Sequence, residues 1–155
     1  MAGPHAVAEI LARQFAELRS LDAAARAEKD RVRAEGQERI RRVQLEMDLQ
    51  KMRLEADERR LKVGRMNEQA VAELQQLVRE RARLDQEYEQ RLRTETQTAK
   101  DNEERVRQEC DQRRRDKEEQ HRIELDGARQ AADAERARRD AEQRQADERA
   151  RQARQ

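Results

Sequence analysis

Residues 42–62 read RVQLEMDLQKMRLEADERRLK, and the first half of this stretch decides the fold. Four apolar side chains at alternate positions from 43 to 49 give the period of a half-buried β-strand. The same alternation arises on a helix when two apolar stripes on different sides overlap along the chain. We interpret residues 43–49 as such a crossover between two helical faces, because a lone strand would find no partner strand in this sequence.

An ideal helix turns by about 100° per residue, which places the apolar side chains of residues 7–92 on two nearly opposite faces. We predict that each face binds a different neighbour. Face 1 consists of Val7, Leu11, Leu18, Leu21, Val32, Ile40, Val43, Met47, Leu54 and Leu61. Face 2 consists of Leu45, Leu49, Met52, Val63, Met66, Leu74, Leu77, Leu84, Tyr88 and Leu92.

The composition favours long helices over a compact globule. Charged residues make up 46% and aromatic residues 1% of the 155-residue chain, which leaves too few bulky side chains for a globular core. Disorder is the other option for such a composition, but disordered chains are usually rich in Pro, Gly and Ser. Residues 5–155 contain no proline and only three glycines, and the commonest residues are strong helix formers. The sequence therefore predicts an all-α fold.

The spacing of the apolar residues predicts one long, nearly straight helix or an extended coiled coil. A strict heptad repeat drifts by about 20° per repeat around a straight helix, and neither face drifts appreciably along its length. One alternative is a break or hinge near residues 94–101, where RTETQTAKDNEE (residues 93–104) contains weak helix formers. Asp101 followed by Glu104 would then cap a new helix, and the chain could fold back as a helical hairpin.

These patterns divide the chain into four predicted segments. Residues 1–6 form a loose N-terminus, and residues 7–92 form the amphipathic rod that carries both faces. Residues 93–104 contain the alternative hinge. Residues 105–155 are rich in Ala, Arg and Glu and poor in large apolar side chains, which predicts a charged, solvated helix.

The charge balance and hydropathy exclude several classes of function. The formal net charge is +1, from 36 basic and 35 acidic residues, whereas nucleic-acid binding normally requires a basic excess. No run approaches the roughly 20 apolar residues of a membrane span, and the N-terminal sequence lacks the basic and apolar regions of a secretory signal. With Cys110 as the only cysteine, no intrachain disulfide can form. These features are typical of a cytoplasmic protein.

The sequence contains no constellation of catalytic or metal-binding residues. Cys110 and His121 share a helix face, but about 16 Å of helix rise separates them, which is too far for a shared metal or a nucleophile–base pair. We interpret both as seam positions that contact a neighbour. We therefore expect no catalytic residue, no cofactor, no metal site and no enzymatic activity.

Three stretches carry a resemblance to known proteins: AELQQLVRERARLDQEYEQRL, DERRLK and CDQRRRDKEEQHRIEL. In their charged helical texture with sparse apolar anchors, they resemble coiled-coil structural proteins of cilia, flagella and the cytoskeleton. The resemblance implies a structural role along a filament or microtubule, without a cofactor or catalytic turnover.

The first hypothesis is a rod that bridges or staples subunits of a filamentous assembly, cytoskeletal or axonemal, with face 1 on one partner and face 2 on another. The expected partners are other helical proteins or filament subunits, self-association included. The alternative is a regulatory or tethering helix that binds an ATPase or another machine through its apolar N-terminal segment, residues 7–21. That segment would then act alone, whereas a staple needs its full length.

Overall fold

The described part of the chain, residues 4–155 of a computed structural model, is all-helical and consists of two helices. Helix α1 spans Pro4–Val63 and helix α2 spans Glu68–Arg154. The prediction of an all-α fold is confirmed. The prediction of one long helix or extended coiled coil is not confirmed, because a short break at residues 64–67 separates α1 from α2.

The break is formed by local signals on both sides. Helix α1 ends before Gly64, a residue with low helix propensity. Helix α2 begins after Asn67, whose side-chain Oδ1 accepts a hydrogen bond of 2.8 Å from the backbone N–H of Ala70. Asparagine is among the best residues at this capping position, because it satisfies a backbone donor that the first helical turn leaves unpaired. The next residue, Glu68, adds a negative charge at the positive end of the helix dipole.

The alternative hinge at residues 94–101 was predicted in the wrong place, because α2 continues through the whole of 93–104. Thr94 remains compatible with helix because its Oγ1 donates a hydrogen bond of 3.0 Å to the carbonyl of Gln90. The Asp101 carboxylate accepts a hydrogen bond of 2.9 Å from the side-chain amide of Gln97, one helical turn earlier. It therefore acts as a side-chain partner within the helix and does not cap a new one.

The predicted segment boundaries also differ from the helix bounds. Residues 4–6 of the predicted loose N-terminus belong to α1, and residues 1–3 lie outside the described part of the chain. The predicted rod, residues 7–92, includes the break. Residues 136–155 are exposed throughout and helical up to Arg154. The change in side-chain composition after residue 92 thus falls inside one continuous helix.

The chain divides into two compact units, which are considered separately. Residues 27–108 form the first, here called the hairpin unit, and contain the end of α1, the break and the start of α2. The second, here called the terminal unit, combines the start of α1 up to residue 26 with residues 109–155 of α2.

In the hairpin unit, the two helical segments run antiparallel. Residues of α1 that lie farther from the break pair with residues of α2 that lie farther from it by about the same number of positions. Four ion pairs between the two segments define this register. They are Glu55–Arg81, Lys51–Asp85, Glu46–Arg91 and Arg39–Glu95, with nitrogen–oxygen distances of 3.4, 3.9, 2.9 and 3.7 Å, respectively.

The core of the hairpin unit is a single seam between the two helical segments. Its buried apolar side chains are Val32, Val43, Leu54, Tyr88 and Val106. Two helices can cover only one flank of each other, so no side chain among the described residues is enclosed to less than 2% exposure. Stability therefore depends on few contacts, and each buried position carries a large share of it.

The two helical segments approach each other closely at Gly36. A Cβ atom built at Gly36 would lie 2.9 Å from the Cβ of Ala99 on α2, a distance shorter than van der Waals contact. The two helices pack this closely only because one of the facing residues has no side chain. Gly127 differs, because a Cβ there would meet no atom within 4 Å.

Candidate interaction surfaces

Face 1 is largely occupied within the chain itself. Nine of its ten residues are buried or half-buried, and only Leu11 is exposed, at 44%. Between Val43 and Leu61 these side chains lie on the flank of α1 that carries the ion pairs to α2. This part of face 1 therefore serves as the intrachain seam of the hairpin unit.

Face 2 is divided by the break into two parts with different surroundings. On α2, its five members are buried or half-buried within the hairpin unit: Leu74, Leu77, Leu84, Tyr88 and Leu92. On α1 and in the break, its five members are exposed: Leu45, Leu49, Met52, Val63 and Met66. These two parts were predicted as one face because their residues were phased as if one helix continued through 64–67.

The exposed part of face 2 on α1 is organised as a heptad seam. Leu45, Leu49 and Met52 are 59%, 58% and 63% exposed and follow one another at intervals of four and three residues. Ala56 and Val63 continue the same stripe to the end of α1. These five residues are called the outer seam. They lie nearly opposite the buried stripe that includes Val43 and Leu54, so α1 has an apolar line on each flank here.

A second exposed apolar surface lies in the terminal unit. Leu11 and Phe15, which are 44% and 64% exposed, are here called the N-terminal patch. The Arg19 guanidinium lies 5.8 Å from the centre of the Phe15 ring and covers part of one ring face. Both residues line the rim of an open groove to which Leu18 and Leu125 also contribute. The other apolar residues of segment 7–21, which are Val7, Ile10, Leu18 and Leu21, are half-buried within the terminal unit.

A buried polar cluster aligns the two helical segments of the terminal unit. The side-chain amide of Gln14 donates a hydrogen bond of 2.9 Å to the backbone carbonyl of His121. His121 Nε2 lies 2.8 Å from a carboxylate oxygen of Glu17, and Lys117 Nζ lies 3.4 Å from the same oxygen. Gln14 and His121 are only 6% and 7% exposed. A shift in register would leave these buried polar groups without partners, so the cluster fixes the alignment.

Sequence analysis found only part of this cluster. His121 was predicted to contact a neighbour as a seam residue, and it does so, with α1 of the same chain as the neighbour. Cys110 is also buried, at 6% exposure. Gln14 and Glu17 were not identified. Gln14 could have been predicted from its position, because it lies on the same helix face as Leu18 and Leu21. A polar residue within an apolar stripe indicates a buried hydrogen bond.

The packing of this cluster lowers the pKa of the Glu17 carboxylate. The hydrogen bond from His121 is the largest cause that lowers the pKa of Glu17 below its usual 4.5, and Lys117 and Arg13 act in the same direction. Partial burial opposes the shift. A carboxylate with a lowered folded-state pKa stabilises the fold above its unfolded pKa, and this contribution is lost as the pH falls through the folded value.

We therefore expect acid to weaken the terminal unit in part through Glu17. The stabilisation by the carboxylate should be complete near pH 6 and should disappear as the pH falls below 4.5 towards the lowered pKa. Urea unfolding at several pH values, compared between the native chain and Glu17→Gln, measures this component. The difference in stability between the two should shrink on acidification. An equal difference at pH 6 and pH 3 would contradict the assigned hydrogen bond.

Among residues 4–155, no group of three or more His, Cys, Asp or Glu side chains is arranged to hold a metal ion. Over the same residues, neither helix contains a stretch apolar and long enough to cross a membrane. No family model matches the chain, and comparisons with curated proteins and with solved structures found no match.

Proposed function

We propose that this chain is a non-enzymatic structural coiled-coil protein that binds helical subunits of a larger filamentous assembly through the outer seam. The observation that carries the proposal is the exposure of Leu45, Leu49 and Met52 in heptad spacing on a helix whose surface is otherwise mostly charged. Apolar side chains in this spacing form the contact stripe that a second helix covers in a coiled coil.

The bridging role predicted from sequence requires a different pair of surfaces from the two original faces. Face 1 between Val43 and Leu61 is used within the hairpin unit, so it is not available to a partner. The outer seam and the N-terminal patch are both exposed, and each lies in its own unit. We propose that these two surfaces contact different subunits and thereby bridge them.

We propose that the protein lies in the cytoplasm on the cytoskeleton. The filaments to which it would bind are microtubules, including those of the axoneme of a cilium or flagellum. Support for this comes from the resemblance of the helical sequence to coiled-coil components of those structures. The charge balance of +1 gives no reason to expect a polyanion partner.

Replacement of Leu49 by Asp should release the protein from its filament. A carboxylate in the centre of the outer seam would be buried without a partner in the complex, which should weaken binding by about tenfold or more. A fluorescently tagged full-length chain, observed in ciliated cells and assayed by cosedimentation with the cytoskeletal fraction, provides the measurement. Val78→Asp is the matched control, because Val78 is also 59% exposed but lies on α2 outside the outer seam. Filament association of Leu49→Asp equal to that of the control would contradict the proposal.

A second candidate function has its own observation. The N-terminal patch presents Leu11 and Phe15 next to a groove, as expected for a regulatory or tethering helix that docks on an ATPase or another machine. Phe15→Asp in the full-length chain distinguishes the two functions. It should abolish binding altogether if the protein is such a tether. If the protein bridges subunits, Phe15→Asp should remove only the contact of the N-terminal patch, and the cosedimentation that depends on Leu49 should persist.

A further inference from the structure

The outer seam has the residue pattern of a two-stranded coiled coil. In heptad notation, Leu49, Ala56 and Val63 occupy a positions, and the d positions are Leu45, Met52 and Arg59. The pattern stops at both ends, because Glu38 and Arg42 occupy the preceding positions and the break follows Val63. The seam therefore covers residues 45–63, about 28 Å of helix.

The residues beside this stripe carry an ordered pattern of charge. The g positions hold Arg41, Asp48, Glu55 and Lys62, and the e positions following each d residue hold Glu46, Arg53 and Arg60. In a parallel pair of helices, each g residue faces the e residue of the next heptad on the other helix, and these contacts set partner choice and orientation. The charges at the e and g positions therefore indicate which partner helix, in which orientation, can pair with the outer seam.

A second copy of this chain fits in parallel orientation. Three of the four g residues then meet a residue of opposite charge on the second copy, so that six favourable contacts form across the symmetric pair. The fourth, Lys62, would face position 67, which lies in the break. The three contacts that occur twice are Arg41 with Glu46, Asp48 with Arg53, and Glu55 with Arg60. An antiparallel pair aligned about the seam midpoint would form four favourable contacts, Glu46 with Arg60 and Asp48 with Lys62, each twice. It would also bring Arg53 against Arg53 and Glu55 against Glu55, which is repulsive, so the charges favour the parallel pair.

The central contact is also unused within the chain. Asp48 and Arg53 are both exposed and form no ion pair with any residue of 4–155. Glu46 and Glu55 are shared with Arg91 and Arg81 of α2, at 2.9 and 3.4 Å. The pair Asp48–Arg53 is therefore the one whose charges are left for a second copy.

We propose that the chain forms a parallel homodimer through the outer seam, so that α1 packs against α2 on one flank and against α1 of the second copy on the other. This inference rests on the proposed function, since it names the partner of the same surface. Arg59 at a d position and the small Ala56 at an a position limit the strength of the contact. Association should therefore depend on protein concentration and weaken with salt, because the flanking charges are exposed.

Charge exchange between positions 48 and 53 tests the proposal. Sedimentation equilibrium of the full-length chain at low salt, under reducing conditions, should show a monomer–dimer equilibrium. Asp48→Arg alone and Arg53→Asp alone each place like charges together twice, and each should weaken the dimer by about tenfold or more. A one-to-one mixture of the two variants restores both contacts in a parallel heterodimer, as does the double variant in a homodimer. Dimerisation should return in both cases.

The controls separate this inference from folding and from the proposed function. Asp30→Arg reverses an exposed charge on α1 outside the seam and should leave dimerisation unchanged, and circular dichroism should show equal helix content in all variants. A monomeric native chain, single variants that dimerise like the native chain, or a mixture that stays monomeric would each overturn the parallel homodimer. If the native chain is monomeric but still cosediments with filaments in a Leu49-dependent way, the proposed function stands and the dimer does not. If the native chain dimerises but does not cosediment with filaments, the parallel homodimer stands and the proposed function does not.

Discussion

Replacement of Val43 by Asn should unfold the hairpin unit, whereas replacement of Leu45 by Asn two residues later should leave it folded. Val43 is 4% exposed in the seam between α1 and α2, and Leu45 is 59% exposed on the opposite flank. At position 43 the change removes a buried apolar side chain and buries an amide without a partner, a combined cost of about 3 kcal/mol. The intrinsic helix propensity of Asn affects both variants, so their difference isolates burial.

Thermal and urea unfolding followed by circular dichroism measure this pair of variants. Hydrogen exchange of residues 27–108 then localises the loss. At protein concentrations low enough to keep the chain monomeric, we expect Val43→Asn to lower the midpoint strongly and to lose protection across the hairpin unit. Under the same conditions, Leu45→Asn should change stability by no more than about 0.5 kcal/mol beyond its helix propensity. Equal destabilisation by both variants would mean that neither flank of α1 is the intrachain seam.

Gly36→Ala and Gly127→Ala should have effects of opposite sign. Alanine improves helix propensity by about 1 kcal/mol at either site. At Gly36, however, the added methyl group would lie 2.9 Å from the Ala99 Cβ, and the two helices would have to separate. Overpacking of this kind costs about 1–3 kcal/mol, and the wider spacing also loosens neighbouring contacts of the seam. At Gly127 no atom lies within 4 Å, so only the gain remains.

The double variant Gly36→Ala with Ala99→Gly supplies the test of mechanism. It exchanges the two residues and restores the space between the helices while keeping one glycine in the seam. Its urea midpoint should lie well above that of Gly36→Ala alone and close to that of the native chain. A Gly36→Ala variant more stable than the native chain, or an exchange without recovery, would show that α1 and α2 do not approach closely at this point.

Much of the secondary structure could be predicted from sequence because helix propensity and apolar periodicity are local properties. The buried phase of α1 follows from them, since Val43 and Leu54 lie on one predicted face and are both buried. The break was harder to place because two sites carry capping signals, Asn67 near Gly64 and Asp101 before Glu104. The side chain of Asp101 accepts from Gln97 inside the helix, whereas Asn67 accepts from the Ala70 backbone.

The error in the position of the break carried over to the second face. Residues on α2 such as Leu74 and Tyr88 were phased on the same helix as Leu49, although the chain turns back at residues 64–67. In the folded chain they pack within the hairpin unit, and Leu49 stays exposed. The buried polar cluster of the terminal unit could not be predicted from sequence for a related reason. Gln14 and His121 are 107 residues apart in sequence, so their contact depends on how the helices pair.

An engineered disulfide between α1 and α2 tests the central feature of the fold most directly. Gly36→Cys and Ala99→Cys, introduced together in a Cys110→Ala background, would place two thiols on opposite sides of the seam, at a point where the helices approach closely. Their Cβ separation needs only a small adjustment to reach the geometry of a disulfide. In one uninterrupted helix the same positions would be roughly 95 Å apart. Leu45→Cys with Ala99→Cys is the control, because Leu45 lies on the opposite flank of α1.

After oxidation at low protein concentration, non-reducing electrophoresis and mass spectrometry of the digested monomer identify the linkage. We expect the first pair to form an intrachain disulfide in high yield and the control pair to remain reduced. Cross-links found only between chains, or no cross-link in the first pair, would contradict the antiparallel pairing of α1 and α2 within the hairpin unit.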